Sequence, residues 1–325
     1  EVYTGWSSDL PGLDTPDIVL VAPATRNTLS KICAGVMDDP AMMAITAASG
    51  AGKKIILVPS MHDDLFDEAV TKDLIGNVKS LGYKVLVSES VEGRRKQPSP
   101  SKIVRFVSST AHKNLPNRAK VAVIYGSTEA PIDPVRVISN RSTGRTGDKI
   151  CDYLERRGHD VCRIAGVVEG GRGLQEISAR TPQDMLTAVR EVISKSKPDV
   201  WVLAAAILDF QPKDPLTEKM PSSELPKPIA LEPSPRLIGL IRKIDPNVKI
   251  ISFKLETEID ETELISRAKS HMEKYDSDLV VANLLENLDG SGPRAHLVMS
   301  DNVSEIPDLE QLCRELNSII TGWVE

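Results

Sequence analysis

The stretch KVAVIYGSTEAPIDPVRVISNRSTGRTGDKI, residues 120–150, joins a short apolar run to a long polar turn and then to the start of a helical pattern. An aliphatic, β-branched run of that length reads as a strand buried on both faces. Similar runs recur at DIVLVAPA (17–24), KIILVPS (54–60), KVLVS (84–88), DVCRIAG (160–166), DVWVLAAA (199–206), VKIISF (248–253), DLVVAN (278–283) and AHLVMS (295–300). Between most of them, apolar residues fall three and four apart, most clearly in LFDEAVTKDLIGNVKSLG and PQDMLTAVREVISKSK. Buried strands alternating with amphipathic helices predict an α/β protein built on parallel sheets.

The chain of 325 residues is long enough for two ordinary domains, each with its own core. Forty-six acidic against forty basic side chains give a formal charge of −6, which argues against a nucleic-acid binder. Aromatic residues make up only 4%, too few for stacking platforms to dominate a binding surface. Cys33, Cys151, Cys162 and Cys313 are scattered, with no C-x-x-C pair and no histidine at metal-ligand spacing, so free thiols in a reducing compartment are expected. No apolar run approaches the ~20 residues of a membrane span and no signal-peptide pattern opens the chain, so a cytoplasmic protein without a membrane partner is expected.

The boundary signal is SESVEGRRKQPSPSK followed by STAHKNLPNRAK. Prolines, a basic cluster and then a polar stretch place a domain break near Asn114, dividing the chain into 1–113 and 114–325. Residues 211–235, QPKDPLTEKMPSSELPKPIALEPSP, have many prolines and no helical periodicity. A loop that long inside a compact domain is usually functional.

Ligands of open α/β sheets bind outside the carboxyl ends of the strands. At the first such end in the C-terminal half, Gly126 allows a sharp turn, and Ser142, Thr143 and Gly144 precede a helix expected to start near Thr146. A helix start of this kind favours bound phosphate, and Arg136, Arg141 and Arg145 add positive charge. Read alone, the same serine and threonine serve equally well as helix caps. The G-x-G-x-x-G fingerprint is not matched, which disfavours a standard dinucleotide site. After DVWVLAAA comes Asp209, able to accept hydrogen bonds from an amino group or sugar hydroxyl. Lys219 lies in the long loop, where its ammonium can fold over a phosphate or simply face solvent. Lys254 and Glu256 follow another strand in ISFKLETE, and Asn283 ends DLVVAN.

Taken in order, PIDPVRVISNRSTGRTG, AAAILDFQPKDPLTEK, ISFKLETE and DLVVAN resemble the phosphopantothenoylcysteine synthetases (phosphopantothenate–cysteine ligases) of coenzyme A biosynthesis, over about residues 119–300. The resemblance implies a CTP-dependent ligase of 4′-phosphopantothenate and cysteine that works through an acyl-cytidylate. A magnesium ion accompanies the CTP, with no protein side chain assigned as its ligand. It implies that Asn140 orients the intermediate, that Arg136 and Ala206 support attack by cysteine, and that Lys219 neutralises the triphosphate. Gly126, Ser127, Ser142, Thr143, Gly144, Asp209, Phe253 and Lys254 are the implied nucleotide contacts, and a homodimer or higher homo-oligomer is the implied assembly. Three positions depart from the family pattern. Gly126-Ser127 replaces a glycine pair, Arg145 replaces a lysine, and Pro233-Ser234-Pro235-Arg236-Leu237 replaces T-P-D-I-L. A non-catalytic regulatory homologue is the alternative outside the enzyme class; the presence of both Asn140 and Lys219 argues against it.

In the N-terminal half, DIVLVAPATRNTLSKICAGVMDD and ILVPSMHDDLF resemble the A-P-x-[TS]-x-N-T and P-x-M-N-x-x-M-W segments of flavin-dependent cysteine decarboxylases. That implies a second Rossmann-like doubly wound domain ahead of the first, with Thr25, Asn27 and Thr28 at FMN positions and Met61 and His62 at substrate positions. The match is incomplete. It begins after the family's first strand and FMN phosphate loop, and SSDLPGLDTPD holds no counterpart of the expected histidine. His62 replaces an asparagine and Phe66 a tryptophan, and Ser88 stands where a proton-donating cysteine is expected. A serine is a poor general acid in place of a thiol. The reading favoured is a divergent domain that packs or oligomerises without decarboxylating; an FMN-dependent decarboxylase completed by another segment is the alternative. Helix capping accounts for Thr25 and Asn27 without flavin. His112, His159, His271 and His296 have no carboxylate or cysteine at catalytic spacing and are assigned no role; GRRGHD around His159 reads as a helix-to-strand loop.

Overall fold

The computed structural model of the chain describes residues 16–88, 90–169, 176–221, 228–290 and 292–325. Two compact units meet between Asn114 and Leu115. No helix among the described residues is long and apolar enough to cross a membrane, and all four cysteines are free.

The N-terminal unit runs β1 (Ile18–Ala24), α1 (Arg26–Ala34), α2 (Pro40–Gly50), β2 (Lys54–Pro59), β3 (Met61–His62), α3 (Asp63–Phe66), α4 (Ala69–Ser80), β4 (Lys84–Val85), β5 (Arg94–Arg95) and α5 (Pro100–His112). Its described sheet is parallel in the order β1-β2-β4, and β3 and β5 form a separate antiparallel ribbon. The strand β2 is buried from Ile55 to Pro59, as a continuous apolar run requires. Two expectations change here. The composition of β1 predicts burial on both faces, yet Leu20 is exposed; β1 is an edge strand of the described sheet and only part of it meets the core. KVLVS predicts a full strand, but pairing with β2 ends at Val85. Each main helix starts on a side-chain cap: Thr25, Asp39, Glu68 and Ser99 accept from backbone N–H groups of the first turn.

The C-terminal unit begins β6 (Lys120–Tyr125), β7 (Glu129–Pro131), β8 (Val137–Ser139), α6 (Arg145–Arg156), β9 (Asp160–Ala165), β10 (Glu176–Ser178) and α7 (Pro182–Ser196). It continues β11 (Val200–Leu203), β12 (Phe210–Pro212), β13 (Leu231–Pro233), α8 (Leu237–Ile244), β14 (Lys249–Glu256), α9 (Glu261–Tyr275) and β15 (Leu279–Leu284). A 3₁₀ turn at Glu286–Asp289, then β16 (Ala295–Val298), β17 (Val303–Ile306) and α10 (Leu309–Trp323), complete it. The sheet has eight strands in the order β10-β9-β6-β11-β14-β15-β16-β17. β10 to β15 are parallel, whereas β16 and β17 join antiparallel. The parallel expectation therefore fails at AHLVMS: the link from β15 to β16 is too short for a crossover helix, which a parallel partner would need. The proline-rich segment 211–235 is closed at its base by the antiparallel pair β12 and β13, and its residues 222–227 lie outside the described ones.

Side-chain alternation assigns the two faces. Val121, Val123 and Tyr125 of β6 pack with Ile150 and Leu154 of α6 and Leu316 of α10. Ala122 and Ile124 pack the other way, with Met185 and Val189 of α7 and Ile241 of α8. One charge lies within this framework. Arg163 of β9 is buried and reaches Asp148, Asp152 and Glu155 of α6 at 2.6–2.9 Å, with Glu176 of β10 at 3.7 Å. Burial pulls the guanidinium toward neutrality, but the bonds to Glu155 and the surrounding carboxylates outweigh it and hold its pKa above the ordinary value. Glu176 also accepts from the Tyr125 hydroxyl at 2.6 Å. Arg163 therefore fixes α6 against the sheet edge. Replacing it with leucine removes the buried cation that Asp148, Asp152, Glu155 and Glu176 share, and should cost about 3–5 kcal/mol. Urea denaturation checks this; a loss below about 1 kcal/mol, the value of a surface pair, would contradict it.

Candidate active site

The chain leaves β6 toward β9 on one side, then returns to β11 on the other, so the sheet changes direction between β6 and β11. Doubly wound proteins carry their ligands in the crevice at such a switch point. Here the crevice is stitched shut at its base. Ser127 N–H donates to the Val167 carbonyl at 3.0 Å and Val167 N–H donates back at 2.7 Å. On the other side Ala206 N–H donates to the Gly126 carbonyl at 2.8 Å and Thr128 N–H to the Ala206 carbonyl at 3.3 Å. Gly126 makes the turn with φ 85°, and a Cβ there would lie 2.7 Å from the Val167 carbonyl oxygen, so neither the conformation nor the space admits another residue.

From this seam the hairpin β7–β8 carries the chain out and back to Asn140. Its side-chain amide donates to the carbonyls of Ala206 and Ile207 at 3.2 and 3.1 Å. The next residues form a corner: Gly144, at φ 76°, is the N-cap of α6 and brings no side-chain cap. The helix starts at Arg145, one residue before the expected Thr146. Only long contacts of 3.4 Å reach this corner from Ser142 Oγ and Thr143 Oγ1. The first-turn N–H groups of α6 are thus poorly satisfied, which is the condition for anion binding at a helix N-terminus. They face a cleft of about 640 Å³ whose lining includes Ser127, Asn140, Ser142, Thr143, Gly144, Ala206 and Phe253.

A second cavity of about 180 Å³ adjoins it and shares Ala205 and Phe253 with the cleft. Asp209, Ser234, Arg236, His271 and Tyr275 line it. Arg236 donates to the Tyr275 hydroxyl at 2.6 Å and approaches Asp209 at 3.8 Å. The His271 and Tyr275 rings lie 4.7 Å apart. Ser234 Oγ and His271 Nε2 are buried without a hydrogen-bond partner among the described residues, so a polar ligand has two groups to satisfy here. His271 is pushed down to about 4, first by burial and then by the positive charges of Lys254, Lys274 and Arg236.

The predicted residues therefore separate. Asn140, Ala206, Ser127, Ser142, Thr143, Gly144 and Phe253 share the cleft, while Asp209 lies in the second cavity with Phe253 as the common wall. Arg136, Lys219 and Lys254 line neither cavity. Lys254 pairs with Glu256 at 2.8 Å. Arg136 is held in the hairpin turn, pairing at 2.8 Å with Asp133, whose carboxylate is fully buried. Asp133 also accepts from the N–H groups of Val135, Arg136 and Met220. Burial would raise its pKa, but these backbone donors and Arg136 hold it below the ordinary value. Arg136 in turn donates to the Met220 carbonyl at 3.3 Å. The pair thus anchors the residue next to Lys219 to the cleft's hairpin. Sequence patterns do not single out His271, Tyr275 and Arg236 as site residues. The i, i+4 spacing of His271 and Tyr275 marks one helix face, but nothing in the sequence says that face meets Asp209.

In the N-terminal unit, Thr25 caps α1 by accepting from Thr28 N–H, and their hydroxyls meet at 3.0 Å. Asn27 is exposed, Met61 and His62 lie in the ribbon opposite Arg95 and Arg94, and the Ser88 hydroxyl is buried without a partner among the described residues. Capping uses one acceptor site of the Thr25 hydroxyl and the Thr28 N–H, which leaves both hydroxyls further hydrogen-bonding capacity.

An open, doubly wound sheet with an uncapped helix start at its switch point places the chain in the class of α/β proteins with a ligand crevice at the carboxyl ends of the strands. Residues 117–315 match the family model described as DNA/pantothenate metabolism flavoprotein C-terminal domain, and residues 4–112 match the Flavoprotein model. The chain belongs to the DNA/pantothenate metabolism flavoprotein family. It is 36% identical over 310 residues to the coenzyme A biosynthesis bifunctional protein CoaBC of Thermococcus kodakarensis, covering 95% of this chain and 76% of that one. The Methanocaldococcus jannaschii protein of the same name is 31% identical over 290 residues, with 87% and 70% covered. The crystal structure of the DNA/pantothenate metabolism flavoprotein from Streptococcus pneumoniae superposes with a TM-score of 0.56 at 23% identity, covering 63% of this chain and 99% of that one, which shows a shared fold.

Two measurements test this geometry. Exchanging Asp133 for asparagine weakens a charge-assisted bond, so the Met220 amide should exchange hydrogen roughly tenfold faster; an unchanged rate would mean that the loop is held elsewhere. For His271, whose pKa is lower folded than unfolded, the unfolded state binds more protons between about 6.5 and about 4. Its contribution to stability is therefore present above pH 6.5 and is lost as pH falls through that window. Thermal melts across the window should show His271→Asn flattening the decline.

Proposed function

We propose that the C-terminal unit ligates cysteine to 4′-phosphopantothenate at the expense of CTP, through an acyl-cytidylate. The observation that carries this reading is the pair of adjoining cavities at the switch point, one with an anion cradle and an amide clamp, the other polar, with Arg236 and Asp209 on its walls. The relatives' role in coenzyme A biosynthesis supports it. In the first step, a carboxylate oxygen bonds to the α-phosphorus of CTP and the bond to pyrophosphate breaks. In the second, the cysteine amine bonds to the acyl carbon, the carbon–oxygen bond breaks, CMP leaves and the amine loses a proton. Both steps concentrate negative charge, which backbone N–H groups and cations stabilise. Magnesium enters with the triphosphate as part of that substrate.

The chain's own residues then take these roles. The start of α6, with Ser142, Thr143 and Gly144, holds phosphate. Asp209 and Phe253 meet the nucleotide at the shared wall, with Ser234 and His271 finding their missing partners there. Asn140 holds the Ala206–Ile207 carbonyls in place and so shapes the surface on which the acyl-cytidylate rests. Lys219, tethered through Met220 to Asp133 and Arg136, is the mobile cation that reaches the triphosphate.

Asn140→Asp is nearly isosteric but turns a donor into an acceptor facing two carbonyls about 3 Å away. It should slow amide formation by about a hundredfold or more while pyrophosphate release continues, so the acyl-cytidylate accumulates. Lys219→Gln should suppress pyrophosphate release itself. The check is incubation with phosphopantothenate, cysteine and each nucleoside triphosphate in turn, scoring pyrophosphate and nucleoside monophosphate. Absence of turnover with every nucleotide would refute the ligase reading; turnover with ATP but not CTP would refute the nucleotide assignment.

FMN binding by the N-terminal unit is a second reading, favoured by the Flavoprotein match to residues 4–112. Near-stoichiometric flavin absorbance in the purified protein would establish it, and colourless protein that takes up no added FMN would dismiss it.

A further inference from the structure

At the end of the cleft, in the connection between β15 and β16, stands an arginine with no part in the ligation roles assigned to Asn140, Lys219 and Asp209. Arg294 lines the cleft together with Thr146 and Gly147 of the first turn of α6 and the apolar side chains Leu255, Leu285 and Leu288. Its Nη2 donates to Thr146 Oγ1 at 2.6 Å. Its Nη1 is buried and has no hydrogen-bond partner among the described residues. Burial lowers the Arg294 pKa, yet a guanidinium stays charged at neutral pH. A half-buried cation with one buried, unused N–H is costly unless an anion completes it. The carboxylate lining the cleft, Glu169, is already paired with Arg145 at 3.0 Å.

We propose that Arg294 is a phosphate-binding residue of the cleft: Nη1 and the first-turn N–H groups of α6 together receive a phosphoryl group of a substrate, while Thr146 holds the guanidinium in position. A phosphate fits better than a carboxylate because its three terminal oxygens can meet a guanidinium and helix N–H groups at once. The leucines beside it suit a phosphate carried on a short apolar chain. The identity of the phosphate rests on the ligase reading; the anion site does not. Two substrates bring phosphate, the phosphopantothenate with its terminal monoester and the nucleotide with its triphosphate.

The test measures binding of phosphopantothenate, pantothenate, CTP and pyrophosphate by calorimetry on the full chain, for wild type, Arg294→Met and Thr146→Val. The proposal expects Arg294→Met to weaken a phosphate-bearing ligand by about tenfold or more while leaving pantothenate, which lacks the phosphate, unchanged. If phosphopantothenate is the ligand affected, its terminal phosphate is the occupant; if CTP is affected, the triphosphate is. Should the ligase reading fail and neither substrate bind wild type, pyrophosphate binding lost in Arg294→Met still supports the anion site. Equal weakening of phosphopantothenate and pantothenate overturns the proposal, because a structural role moves both. So does a change below twofold for every ligand in a variant that melts like wild type. Thr146→Val, which frees the guanidinium without removing it, should retain most of the discrimination. If Arg294→Met does not fold, Arg294→Lys is read against the same ligands, with loss of phosphate discrimination expected and its full retention counting against the proposal.

Discussion

Between β6 and β11 the backbone hydrogen bonds of Gly126, Ser127 and Thr128 tie together chain segments that leave the sheet in opposite directions. A parallel sheet that reverses its order must open a crevice at such a point. These bonds set how wide the crevice is, and they position the segments on either side of it. The hairpin β7–β8 hangs from one side, the Ala206 turn from the other, and Asn140 closes the gap between them with two hydrogen bonds. The uncapped start of α6 is aimed into the same space because Arg163 holds that helix to the sheet edge through carboxylates on two successive turns. Loss of the seam would leave every one of these groups intact and none of them facing another.

The site is electrostatically asymmetric, although the chain as a whole is acidic. Arg294, Arg236 and the first turn of α6 lie on its walls, with few carboxylates left free to neutralise them. Three buried polar atoms without a hydrogen-bond partner among the described residues lie on these walls, Ser234 Oγ, His271 Nε2 and Arg294 Nη1, and others, such as Trp201 Nε1, lie elsewhere. Folding alone gives no return for desolvating such atoms. Their place on the walls of two adjoining cavities makes ligand binding, rather than core packing, the natural explanation for these three. By contrast, the buried His159 is satisfied on both sides, by Ala119 N–H and Asn317, and serves the packing of a helix-to-strand turn.

Most of the architecture is legible in the chain. KVAVIY and DLVVAN announce buried strands, PQDMLTAVREVISKSK announces a helix, and the division near Asn114 is marked by prolines and charge. The exceptions have physical causes. AHLVMS has the composition of any buried strand, and its antiparallel direction depends only on the short link before it. DIVLVAPA is as apolar as KIILVPS, yet Leu20 is exposed because a strand at the edge of the described sheet is covered incompletely. The site is legible where one segment supplies it, as in NRSTG, and obscure where distant segments converge. The resemblance implies a role for Arg136 in the second step, whereas its side chain is paired with Asp133 and Met220, a pairing that depends on how the long loop folds back.

The sequence by itself determined the alternation of strand and helix, the glycine-containing turn before α6, and the residue types suited to phosphate. These are local consequences of hydrophobic period, glycine conformation and side-chain chemistry. Only the tertiary structure decided that Asp209, Ser234 and His271 share one cavity, that Phe253 forms the wall between it and the cleft, and that Arg294 reaches Thr146. Those contacts join residues far apart in the chain, and their distances follow from sheet order and helix packing, which no local pattern encodes.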